Sequence, residues 1–62
     1  MIKLNDTVVI KLHGNYICMR KRVFEGSKGT INWIDKKDKY VNVQFDKLNS
    51  EVFPFHCVEV VE

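Results

Sequence analysis

Apolar residues recur at every second position over most of the chain. Thr7 to His13 sets Val8, Ile10 and Leu12 against Thr7, Val9, Lys11 and His13, which predicts a half-buried strand entered from an Asn5-Asp6 turn and left at Gly14-Asn15. Tyr16 to Phe24 repeats the alternation more weakly, with Ile17, Met19 and Val23 on one parity and the run Arg20-Lys21-Arg22 on the outer side. It reads as a weak strand or a long excursion, followed by the glycine-supported loop Glu25 to Gly29. Gly29 to Asp35 and Tyr40 to Asp46 form a predicted hairpin whose tip is Asp35-Lys36-Lys37-Asp38-Lys39. In its second strand Val41, Val43 and Phe45 face the core and Tyr40, Asn42 and Gln44 face out; in its first, Trp33 shares a parity with Ile31, which favours the core over an exposed position for it. Leu48-Asn49-Ser50 turns the chain into a short strand, Glu51 to Phe53. Pro54 lacks an N–H and should end that strand in a single helical turn through about Cys57, leaving Val58 to Val61 as a last strand closing against the first. No ten-residue stretch repeats at 3.6, so no helix beyond about one turn is expected.

Composition agrees with an all-β reading. Nine Val, five Ile and two Thr stand beside seven aromatics, three Leu and no Ala. At 62 residues one small domain spans the whole chain, positions 1–62, and most of its apolar side chains are committed to a single core. Such strands escape exposed edges most economically in a small, strongly bent barrel of five to six strands. The longest apolar run is Tyr16-Ile17-Cys18-Met19, far short of the about 20 residues of a membrane span or the roughly 7 of a signal sequence. A cytoplasmic protein with no membrane partner is the expectation.

Several segments together resemble the SH3-like barrels, in particular the KOW-type variants of ribosomal proteins and transcription elongation factors. Asn5-Asp6-Thr7-Val8-Val9-Ile10 is similar to their G-D-x-V-x-V opening, and Gly26-Ser27-Lys28-Gly29-Thr30-Ile31 to the G-x-x-G-x-V core of the motif. Val41-Asn42-Val43-Gln44-Phe45-Asp46 fits the following V-x-V-x-F strand, and Phe53 through Val61 the usual ending of aromatic, proline, turn and strand. The resemblance implies an SH3-like barrel with one short helical turn before the last strand, and a partner among RNA, ribosomes or RNA polymerase; other barrels of the class are subunits that bind proteins. One relative of the fold is an enzyme, the type II plasmid-encoded dihydrofolate reductase, with a V-Q-I-Y pore strand. Here Glu51 and Phe53 stand where its glutamine and tyrosine would be, which removes the hydrogen-bonding groups of that pore.

Charge adds the main functional signal, because a net +2 conceals a gradient. Residues 11–39 carry eight cations against Glu25, Asp35 and Asp38, whereas residues 40–62 carry Lys47 against Asp46, Glu51, Glu59 and Glu62. Arg20, Lys21, Arg22 and Lys28, with Lys36, Lys37 and Lys39 at the hairpin tip, could neutralise several phosphates, and the candidates for stacking on a base are Tyr16, Trp33 and Tyr40, of which parity turns Tyr40 outward. The plainer reading is that these charges keep a small barrel soluble and blunt its strand edges.

Other chemistry finds little support in the sequence. His13-x4-Cys18 and the adjacent His56-Cys57 lack the spacing of a zinc knuckle, and buried thiols are expected in place of a Cys18–Cys57 disulfide. There is no nucleophile elbow, phosphate loop or H-E-x-x-H motif, so neither catalysis nor a cofactor or metal is expected. The expectation is a binding module that contacts nucleic acid or a nucleoprotein machine through its basic face. The rival is a protein-interaction module, a regulator or inhibitor of the kind carried by phages and other mobile elements, using exposed aromatics and a strand edge. A third reading is a homo-oligomer built through Ile2, Leu4 and Val61.

Overall fold

A computed structural model describes residues 2–11 and 24–61. The described residues form five strands: β1 (Thr7–Ile10), β2 (Lys28–Asp35), β3 (Tyr40–Gln44), β4 (Ser50–Pro54) and β5 (Val58–Val60). All pairings are antiparallel, in one sheet of order β4-β3-β2-β1-β5. The 3-10 turn Phe55–Cys57 follows Pro54, as the missing N–H of proline predicts, and β5 pairs with β1 as expected. The second predicted strand, from Tyr16, lies outside the described residues apart from Phe24, as do Leu12, His13 and Cys18. Among the described residues no helix is long and apolar enough to cross a membrane.

The connection from β4 to β5 forces the sheet to bend. Five strands laid flat would hold the two outermost about 19 Å apart. Four residue steps, from Pro54 to Val58, reach at most about 14 Å even when extended, and a 3-10 turn is shorter still. The sheet therefore curls, and the inward side chains of the curl make the core. Val8, Ile10, Ile31, Val41, Val43, Phe53 and Cys57 are all fully buried there. Phe24 and Phe45 stack with ring centroids 4.7 Å apart, and each meets Phe53 edge to face, at 5.9 and 6.2 Å.

Trp33 departs from the expected arrangement. It is 47% exposed, whereas Ile34, expected on the other face, packs against the core. The cause is a β-bulge: Ile31 pairs with Val43 and Trp33 with Asn42, so Asn32 and Trp33 together oppose one residue of β3. The extra residue reverses the parity of everything after it, which turns Trp33 out and Ile34 in.

Candidate nucleic-acid interface

Two local devices build the end of the molecule at the hairpin tip, and a third runs from there along the outer face to the β3–β4 turn. At the hairpin tip, Oδ1 of Asp35 accepts hydrogen bonds from the backbone N–H groups of Lys37 and Asp38, at 3.0 and 3.2 Å. One of the two tip acids is thereby turned onto the loop backbone, and Lys36, Lys37 and Lys39 are all exposed. Lys39 closes the loop in the left-handed region, at φ 62°, and its carbonyl accepts the N–H of Phe55 at 2.9 Å. Tyr40 opens β3 with 41% of its surface exposed, as its parity predicts.

The second device is the N-terminal turn. Asp6 caps the Lys3 N–H through Oδ2 at 2.8 Å, and Asn5 takes a left-handed conformation, φ 72°. The Asn5 N–H then donates to the Ile31 carbonyl, and the Ile31 N–H donates to the Asp6 carbonyl. These bonds lay residues 2–4 beside the bulge. Between them, β2 and the 3-10 turn runs an open groove of about 1070 Å³, with Ile2, Leu4, Trp33, Ile34 and Phe55 as its apolar lining. Among the described residues, the charged ones along it are Lys3 and Lys36.

The third is an amide ladder on the outer face. Asn42 Nδ2 donates to Asn32 Oδ1 at 2.7 Å, Asn32 Nδ2 donates to Gln44 Oε1 at 3.0 Å, and Gln44 Nε2 donates to the backbone carbonyls of Asp46 and Asn49. Trp33 thus stands at the end of a polar, hydrogen-bonded row.

The structure distributes the cations unevenly. Lys36, Lys37, Lys39 and Tyr40 lie together at the tip, whereas Lys28 opens β2 beside Val9, on the order of 25 Å along the strand from Lys36. Lys11 is paired with Glu59 at 2.9 Å on the surface. Arg20, Lys21 and Arg22 lie outside the described residues. Parity favours the core for Trp33 over the exposed stacking position it takes, and it does not reach Lys3 and Asn32 as members of this surface. The signal that could have found them is the three-residue spacing of Ile31 and Ile34, which no regular strand can bury on one face.

No family model matches the chain, and no curated protein or solved structure matches it either.

Proposed function

We propose that the protein is a small non-enzymatic binding module that contacts nucleic acid, or a nucleoprotein assembly, through the β2–β3 hairpin tip. The observation that carries this reading is the exposure of Trp33 and Tyr40 beside Lys36, Lys37 and Lys39. Rings and ammonium groups on one surface are what stacking on bases and pairing with phosphates require. The curled five-strand sheet, with its 3-10 turn before the last strand, supports an SH3-like barrel as the scaffold. A fluorescence-anisotropy titration with labelled single-stranded and duplex DNA and RNA, at about 50 and 200 mM salt, tests the reading. Binding that weakens steeply with salt and is lost when Lys36, Lys37 and Lys39 are changed to Glu supports it. No binding at the lower salt rejects it.

A second reading, a protein-interaction module, has an observation of its own. Leu48 is 92% exposed at the β3–β4 turn, and that turn is held by Asp46, whose Oδ1 accepts the Leu48 and Asn49 N–H groups at 2.9 Å each. An apolar side chain on a preorganised turn is a suitable anchor for a pocket on another protein.

A further inference from the structure

We infer that the groove beside Trp33 is a stacking subsite for an unpaired base, so that the nucleic acid taken by this protein is single-stranded. This rests on the nucleic-acid reading above and narrows its substrate. A duplex keeps its bases stacked inside and offers a protein its phosphates and groove edges. It would have a use for the lysines of the tip, but none for an exposed indole at the edge of an apolar groove. A strand with free bases has a use for both.

Four features of the groove fit such a base. The bulge holds Trp33 on the outer face, opposite Asn42, where the residue is 47% exposed. Ile2, Ile34 and Phe55, each half-buried, give the groove an apolar lining against which a base can leave water. Lys3 and Lys36 are the charged residues along it among those described, so the groove favours an anion, and the phosphates flanking a stacked base supply one on each side. Asn32 lines the same groove with its amide oriented by Asn42 and Gln44. Each of those bonds uses one donor or one lone pair, which leaves the amide one N–H and one lone pair to offer a base edge.

The test compares a labelled oligopyrimidine strand of about 12 nucleotides with the same strand annealed to its complement. Trp33 is the sole tryptophan, so its emission reports the groove directly in the unmodified protein. The inference predicts tighter binding of the strand than of the duplex, quenching of Trp33 emission by the unlabelled strand, and a loss of about 5- to 150-fold in affinity on Trp33→Leu. Trp33→Phe, which keeps an aromatic face, should recover part of that loss. Thermal melts of both variants should stay close to the parent, because the side chain is half exposed. Salt-sensitive binding of strand and duplex alike, with unchanged emission and full affinity in Trp33→Leu, would overturn the inference and leave the basic-tip reading standing. No binding of either form would overturn both, and would reassign the groove to an apolar side chain of a protein partner.

Discussion

Gly29 on β2 lies against Val43 on β3 so closely that a Cβ built on the glycine would stand 2.5 Å from Val43 Cγ1 and 2.8 Å from the backbone carbonyl oxygen of Gln44. The side-chain contact could yield by rotation, but the carbonyl belongs to the sheet and cannot. Gly29 is therefore required by close approach of two strands. Gly29→Ala should cost about 1–3 kcal/mol, the range for overpacking a tight interior. In a domain of this size that lowers the melting temperature by on the order of 10 °C. A thermal melt followed by circular dichroism checks it; a melting temperature equal to the parent's would show that β2 and β3 sit farther apart.

Lys39 presents the opposite case, a residue with a side chain where glycine would be at ease. Its φ of 62° crowds Cβ against the backbone, at a cost on the order of 1 kcal/mol. Lys39→Gly should raise stability by about that amount or less, since glycine also gains freedom in the unfolded chain. The same substitution removes a cation from the tip, so the dependence of log affinity on log salt should flatten by about 0.7 for a single strand. Melts and titrations of one variant should thus move in opposite directions, more stable and less tightly bound.

Much of this fold was legible in the sequence. The parity of Val8 and Ile10, and of Val41 and Val43, gave the inward faces, and Pro54 placed the 3-10 turn, because two-residue periodicity and a missing N–H act locally. Trp33 was not legible by the same rule. A bulge inserts one residue against a partner strand, so it depends on pairing between β2 and β3 that a single strand's pattern does not contain. The site suffered in the same way: the tip lysines and Tyr40 are neighbours in sequence and could be grouped, whereas Lys3 and Leu4 reach the groove through the hydrogen bonds of Asn5 and Asp6 to Ile31. Charge alone groups Lys28 with the tip, and the length of β2 sets it apart.

Acid should loosen the β3–β4 turn first. The Asn49 amide and then the Leu48 N–H hold the Asp46 carboxyl below the usual carboxylate range, against an opposing effect of desolvation and with a lesser contribution from the Asn49 N–H. A carboxylate whose folded pKa is depressed stabilises the fold above the unfolded value of about 3.9, and that contribution disappears as pH falls through the lower folded value. Asp46→Ala should therefore melt below the parent at pH 7, with the gap closing as the pH drops below about 4. A gap that stayed constant down to pH 2.5 would show that the charged form is not what the turn holds.

The charge of the groove can be read without any ligand. Trp33 is exposed next to Lys3 and Lys36, so an anionic quencher should accumulate around it and a cationic one should not. Iodide should quench its emission more efficiently than caesium, and the difference should shrink as the ionic strength approaches about 1 M, where screening shortens to about 3 Å. Equal quenching by the two ions at low salt would mean that the lysines do not dominate the field at the indole.

The most direct test of the account is to ask where on the surface a nucleic acid touches this chain. Backbone amide shifts of the labelled protein, followed by NMR while an oligopyrimidine strand is added, answer that residue by residue. The account predicts shifts concentrated at residues 3–4 and 32–40, with the Trp33 indole N–H among the largest, and little change at the Asp46 to Asn49 turn or at Glu59 on β5. Shifts centred on the Leu48 turn, or spread evenly without focus on the hairpin tip, would contradict it.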